Sequence, residues 1–476
     1  MPDLDLCYLP ATEALARFKA KTLSPVELLE AYIARAEAVE PTINAFTYTH
    51  YDEARELAKK AEAKYAAGEA TGALEGLPIG IKDESYIAGK PTSNGSLSME
   101  NFIADTTTIV NERILGAGGI VHARTATPEF SCAGYCHSKL WGVTHNPWNP
   151  EFTPGGSSGG SAASLAAGTS ALCTGSDIGG SIRIPASTCG LAGFKPPYGR
   201  NPEDPPFNLD FYCHAGPLAR TVADVALLQN VMCGPHPRDI ASLKPKLELP
   251  TSYEPITGWK IAYSPNLGYY EVDHEVRANT EAALDVFRAA GATVEEIELS
   301  WGEECLDAAL AYLEHLFGAY IAETLEKHGD KLTDYARMFA EKGQVSTSKT
   351  FLQTLEVAGR MYSELGPILE DYNVLICPTT ALPAVPADFD QAHDTVEING
   401  KPVNPMLGWV MTSPFNTLSR CPVLTLPSGR ASTGVPTGIQ IVGRTYCDKD
   451  VFQAGMAYEA EAGAWFTGAD MRPALS

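Results

Sequence analysis

One feature limits the fold of this chain more than any other. Short apolar runs closed by glycine, proline or charge alternate with helix-period segments along almost its whole length. GLPIGIKDE (76–84) fits a buried strand with charges at its tip, and WKIAYSP from Trp259, GATVEEIEL, NVLICPTTALPA, PVLTLPSG and GIQIVGR each read as a strand. Between them lie helical patterns over residues 50–67, 161–175, 223–232, 275–290, 303–328, 351–371 and 449–462. Ser24-Pro25-Val26-Glu27 is a capping box with proline at the first helical position. Val26, Leu29, Tyr32, Ile33 and Ala36 then recur at helical spacing, which predicts a helix that stops before Pro41. Residues 116–127 read as a helix end followed by a strand, and residues 142–156 as loop. Such alternation predicts an α/β fold around a mixed, mostly parallel sheet. With no internal repeat, low-complexity tract or linker, one large domain over 1–476 is expected.

Composition narrows the function. The 476 residues carry 35 Lys+Arg against 58 Asp+Glu, a net charge of −23, which repels phosphate backbones and argues against nucleic-acid binding. The acidic opening MPDLDLCYLPATEALARF has no long apolar core, so no signal peptide is expected. No uncharged run approaches the roughly 20 apolar residues of a bilayer span. Eleven cysteines, an odd number, then read as reduced thiols in a cytoplasmic protein. Cys132, Cys136 and His137 lie close together, but zinc sites pair two such groups and no second pair follows; no metal or cofactor is expected.

Chemistry concentrates in TPGGSSGGSAASLAAGTSALCTGSDIGGSIRIPAS (153–187). GGSSGG lacks the Lys-Ser/Thr of a phosphate-binding loop. It fits G-x-S-x-G twice, centred on Ser157 or Ser158, but prolines 147, 150 and 154 forbid the central strand that a nucleophile elbow requires. A flexible Gly–Ser loop is the alternative. In SDIGGSIRIPA (176–186) a diglycine precedes a serine. Adjacent glycines let consecutive N–H groups converge on one spot, as an oxyanion hole requires. Asp177 and Arg183 flank that turn and are placed to pair.

These two clusters resemble the signature of the amidase signature family of serine hydrolases. GLPIGIKD resembles the family's lysine strand, GPLARTVADVALL (216–228) its GPLAR segment, and PTGIQIVGR a typical C-terminal stretch. The resemblance covers nearly the whole chain and implies a single α/β/α domain around about eleven strands. Residues 1–70 would supply N-terminal helices, 71–230 the catalytic core, and 231–476 the rest of the sheet with substrate-pocket helices. It also implies a Ser-cisSer-Lys triad: Ser181 as nucleophile, Ser157 behind a cis peptide bond as bridge, and Lys82 as base. Ile178, Gly179, Gly180 and Ser181 match the oxyanion donors, and Ser158, Asp177 and Arg183 the supporting residues. The chemistry is coherent. A serine needs a neighbour to take its proton; a lysine can do so only when neutral, and burial favours that form. A hydroxyl between them both donates and accepts. No histidine is needed, so His145 and His214 read as loop residues.

The family spans stand-alone amidases, lipid amidases, carbamate-cleaving hydrolases and ammonia-supplying amidotransferase subunits. Here RNPEDPPFNLDFYCH (200–214) replaces the serine-leucine-aspartate run usual in those subunits. That departure and the acidic balance favour a stand-alone monomeric or homodimeric amidase acting on small aryl or apolar acyl amides. A carbamate or ester hydrolase, or an amidotransferase A-type subunit, is the alternative. Phe130, Trp141, Phe207, Phe211 and Tyr212 are expected to line an apolar or aromatic-walled acyl pocket.

Overall fold

Eleven strands pair into one sheet in the computed structural model, which describes residues 3–475. Met1, Pro2 and Ser476, part of the whole-chain domain expectation and in the first two cases of the acidic opening, lie outside the described residues. In chain order the strands are β1 Phe46–Thr49, β2 Pro78–Lys82, β3 Ile120–Thr125, β4 Leu172–Ser176, β5 Ala192–Lys195, β6 Ala215–Ala219, β7 Lys260–Tyr263, β8 Thr293–Glu296, β9 Val374–Pro378, β10 Val423–Arg430 and β11 Pro436–Gly443. Across the sheet they run β1-β3-β2-β4-β6-β5-β10-β11-β9-β7-β8. The sheet is mixed, as expected, but parallel pairing is confined to two blocks, β3-β2-β4 and β9-β7-β8. The other six of the ten neighbouring pairs are antiparallel. The centre runs antiparallel because β10 and β11 form a hairpin there, joined by a connection of five residues, too short for a parallel crossover.

Side chains alternate across the sheet because strands have period two. Ile376, Leu424, Leu426, Ile439 and Ile441 enter one buried cluster; Leu375, Cys377, Val423 and Val442 enter the other. Helices cover both faces, so both faces are dry and the central strands are apolar throughout.

The capping box forms as expected: Ser24 caps the helix Pro25–Ile43, with Glu27 reaching back to the Ser24 N–H. That helix continues through Pro41 rather than stopping before it. Proline removes one intrahelical donor, and so near the C-terminus the helix tolerates the loss. The segment 161–175 is not one helix. Helix Gly159–Ala167 ends at Gly168, whose left-handed φ of 75° turns the chain, and β4 follows. A short, fully buried apolar run does not distinguish helix from strand by period. Between residues 303 and 328 a π turn, Glu314–Gly318, interrupts the expected helix, and Asp334–Val345 adds a helix that the pattern did not predict.

Candidate active site

β2 and β4 lie side by side and parallel, so their last residues, Lys82 and Ser176, meet at one edge of the sheet. The carboxyl ends of neighbouring parallel strands are where open α/β sheets build ligand sites. Lys82 is 1% exposed. Its Nζ donates to Ser157 Oγ at 2.7 Å and Ser176 Oγ at 2.8 Å, and lies 3.2 Å from Glu84 Oε2. Burial holds the amine below the usual lysine range, while the Glu84 carboxylate pushes it the other way. The Gly156–Ser157 peptide bond is cis. A Cβ on Gly156 would lie 2.1 Å from Tyr135 O, so only glycine fits before the serine.

Ser181 lies in the turn entering helix Arg183–Cys189. The two glycine-serine loops are tied together, Ser158 N–H donating to Ser181 O at 3.2 Å. Among the described residues, no acceptor takes a hydrogen bond from the N–H groups of Ile178, Gly179, Gly180 or Ser181, nor does a hydrogen bond join Ser181 Oγ to Ser157 Oγ. Catalytic hydrogen bonds often close only when substrate is seated. Gly180 has φ of +128°, and a Cβ there would fall 2.0 Å from Thr412 Oγ1.

Behind this turn sits a dry ion pair. Arg183 Nε and Nη2 donate to the two Asp177 carboxylate oxygens at 2.9 and 2.8 Å, and both side chains are fully buried. The remaining guanidinium donors reach Thr412 O, Gln440 Oε1 and Asn416 Oδ1, so all five are used. Asp177 also accepts from Asn416 Nδ2 and from Ile182 N–H. Burial opposes ionisation of Asp177, but Arg183 outweighs it and holds the carboxyl well below its usual range. Ser158 Oγ accepts from Ser176 N–H at 3.3 Å.

Two cavities flank the loops. A narrow apolar cleft of about 40 Å³ is lined by Ser181, Gly179, Ala133, Leu313, Met406 and Leu407, among others. A larger cavity of about 370 Å³ has Lys82, Glu84 and Ser176 on its wall, with Phe130, Phe207, Phe317, Tyr320, Glu203 and Asp204 around it. They meet at Ser131, Ile178 and Phe317.

Of the expected pocket aromatics, Phe130 and Phe207 face the larger cavity. The other three line neither cavity. Trp141 packs edge-on against Tyr48 and donates to Ser93 Oγ. Phe211 packs against Tyr198 and beneath the Arg420 guanidinium. Tyr212 stacks on Tyr312 with ring centroids 3.6 Å apart and donates to Thr417 Oγ1. Each found a partner from a distant element that composition does not reveal. His145 bonds Pro150 O in its loop. His214 is buried beneath Asp177, and burial pushes its imidazole down to about 3. The sequence reading missed Ser176, Glu84, Thr412, Asn416 and Gln440. Ser176 and Glu84 carried a local signal, since each lies within five residues of a matched position. The other three are more than 200 residues from the loop they brace and carried none.

No group of three or more His, Cys, Asp or Glu side chains among the described residues is placed to hold a metal ion. No helix among them is long and apolar enough to cross a membrane. All eleven cysteines are unpaired.

Known proteins match nearly the whole chain. The Amidase family model matches residues 27–452. An acylamidase of Rhodococcus erythropolis is 34% identical over 484 residues, covering 100% of this chain and 99% of that protein. The A-type subunit of glutamyl-tRNA(Gln) amidotransferase from Anaeromyxobacter dehalogenans (strain 2CP-C) is 32% identical, covering 97% and 98%. Among solved structures, a bacterial aryl acylamidase of the amidase signature family superimposes with a TM-score of 0.89 at 29% identity, covering 96% of each chain. A 6-aminohexanoate cyclic dimer hydrolase superimposes with a TM-score of 0.83 at 26% identity, covering 98% and 99%. A whole-chain match, a lysine held against the serine of one glycine loop and free N–H groups on the other together mean that the chain belongs to the amidase signature family and hydrolyses amides.

Proposed function

We propose that Ser181 is the nucleophile, Ser157 the proton relay and Lys82 the base of an acyl-enzyme mechanism. The observation that carries this reading is the buried Lys82 Nζ, 2.7 Å from Ser157 Oγ in a loop tied to the Ser181 backbone. Neutral Lys82 draws the Ser157 proton as Ser157 takes that of Ser181, and Ser181 Oγ adds to the amide carbon. The oxyanion that develops meets the open N–H groups of residues 178–181, whose aim is fixed before the reaction starts. The proton then returns through Ser157 to the leaving nitrogen, the C–N bond breaks, and an ester to Ser181 remains. Water, deprotonated along the same path, releases the acid. Asp177, Arg183 and Ser158 hold the loops that carry these groups.

The leaving nitrogen must approach the Lys82 end of this path, and Lys82 borders the larger, aromatic-walled cavity. The amine portion therefore occupies that cavity, and the narrow apolar cleft beside Ser181 takes a small acyl group. This favours amides of a short acyl group on an aryl or other apolar amine. The unpaired thiols favour a reducing, cytoplasmic setting.

The test is a panel of aryl amides, aryl esters and carbamates given to the purified chain, with mass analysis of the quenched enzyme. Amide turnover with an acyl adduct on Ser181 is expected. No turnover by the chain alone, gained only with partner subunits, would replace this reading with an ammonia-supplying role.

A further inference from the structure

We propose that Glu84 is a positioning residue for the base: its carboxylate, 3.2 Å from Lys82 Nζ, keeps Lys82 able to hold the proton it takes from Ser157. This rests on Lys82 being the base.

Glu84 is placed by a turn rather than by the strand. The Ser85 N–H donates to Lys82 O at 3.4 Å, closing the turn. Arg124, fully buried, donates through Nη2 to the carbonyls of both Lys82 and Ser85 and so clamps the two ends. Ser131 Oγ donates to Glu84 Oε2 at 2.6 Å from the opposite wall. Ser131 and the preceding Phe130 both have left-handed φ, +58° and +51°, a conformation that side chains other than glycine adopt at a cost. The carboxylate is thus held from both sides, and Ser131 links it to the point where the two cavities meet.

A base for a serine proton has two requirements. It must be neutral at the working pH, and it must hold the proton once it has it. Burial alone meets the first at the expense of the second. Lys82 Nζ has three partners: it donates to the Ser157 and Ser176 hydroxyls, and the Glu84 carboxylate lies 3.2 Å away as its ion-pair partner. Two of these are neutral hydroxyls. Glu84 supplies the negative charge that stabilises the protonated amine, so it offsets burial and brings the base toward the working range.

The other titratable neighbours do not supply that charge. Cys136 and Cys213 also face Lys82, but burial pushes both thiols up, so they stay neutral. Tyr320 faces Glu84 and is pushed up to about 12 by burial. Arg124 faces Glu84 as a cation. Glu203 lies on the same cavity and is pushed up to about 8, chiefly by burial. It is a second carboxyl group on that cavity and therefore needs its own control.

The experiment measures kcat/KM for an aryl amide, and the rate of fluorophosphonate labelling at Ser181, across pH for wild type, Glu84→Gln, Glu84→Asp and Glu203→Gln. Labelling needs the base but has no amine to protonate. Lys82 acts when neutral, so activity rises through its pKa. Removing a neighbouring anion lowers that pKa, and Glu84→Gln should move the acid limb of both profiles down by at least roughly one pH unit. Its plateau rate should fall, because the base is weaker. Glu84→Asp keeps the charge one methylene further away and should fall between. Should Glu84→Gln fail to fold, the downward shift in Glu84→Asp carries the test. Glu203→Gln should shift the limb less, having no contact with Lys82. An acid limb that stays at its wild-type position in Glu84→Gln, even with a reduced plateau, would overturn the proposal. A shift as large in Glu203→Gln would do the same. A wild-type profile with no acid limb, or amidase activity that survives Lys82→Ala, would remove the base reading and this proposal with it.

Discussion

Asp177→Asn keeps the shape of the side chain and removes its charge. The carboxylate accepts four hydrogen bonds, two from Arg183 and one each from Asn416 and Ile182 N–H. An asparagine has one oxygen to offer, and its amide would point donors at donors. Arg183, fully buried, becomes a cation without an anion. Breaking a buried pair in this way costs about 3–5 kcal/mol. The wild-type stabilisation also has a predictable pH profile. The folded Asp177 sits below its ordinary range, so its contribution is complete above the unfolded value of about 3.9 and is lost as pH falls through the folded one. Urea unfolding of both proteins should show a gap that is constant from about pH 5 upward and closes in acid. Catalysis should suffer too, because Asp177, just before the 178–181 turn, ties down its far end through Ile182 N–H. Misplacing a single oxyanion donor costs roughly 10²–10³ in kcat. A gap below about 1 kcal/mol at pH 7, or an unchanged kcat in folded Asp177→Asn, would refute the argument that this pair holds the oxyanion loop.

Ser181→Ala should fold and lose at least roughly a thousandfold in kcat; fluorophosphonate labelling of Ser157 or Ser158 in an active variant would move the nucleophile to the first loop. Lys82→Ala and Lys82→Arg should both abolish amide hydrolysis, since guanidinium does not deprotonate, and should slow ester hydrolysis less, because an alkoxide leaves with less proton assistance. Amidase activity that survives these variants while His145→Ala loses it would point to a histidine base. Leu407→Ala, which widens the narrow cleft, should shift preference toward longer acyl groups by about 1–3 kcal/mol per added methylene in relative kcat/KM; a shift toward larger amines instead would reverse the assignment of the two cavities.

What the sequence made legible follows from how local each requirement is. The two glycine-serine clusters from Gly155 to Arg183 sit within one stretch, so they read as a single pattern and the resemblance could be recognised there. Asp177 and Arg183 are close enough in sequence to pair across one turn, whereas Gly180, whose Cβ would meet Thr412, and Gly156, whose Cβ would meet Tyr135, answer to residues elsewhere in the chain. Lys82 ends an apolar run, which by itself fits a surface lysine as well, so only the resemblance of GLPIGIKD to the family's lysine strand singled it out. The α/β class was legible from the alternation, and the two sheet faces from period two. Strand direction was not. Apolar runs look alike in either direction, and what sets it is the length and path of the connections between them.

The substrate cavities were the least legible part, and the reason is geometric. Their walls come from side chains whose partners lie far along the chain. Phe207 and Phe211 share one loop, yet Phe207 faces the cavity against Tyr320 while Phe211 turns away to Tyr198 and Arg420. Nothing in their spacing separates them. The wall opposite is set by the π turn at Glu314–Gly318, which breaks the helical period just where Leu313 and Phe317 reach the site. An apolar period of 3.6 assigns a face only while the helix keeps its register, and one extra residue in a turn rotates everything after it. The two glycine-serine loops therefore lie within one short stretch, whereas the cavities are set by long-range packing around them. On the proposed reading, a change of substrate needs no change at Lys82, Ser157 or Ser181. It needs only different side chains where residues 207, 317 and 407 now stand, which is why the Leu407→Ala result bears on specificity and the Ser181→Ala result on the reaction itself.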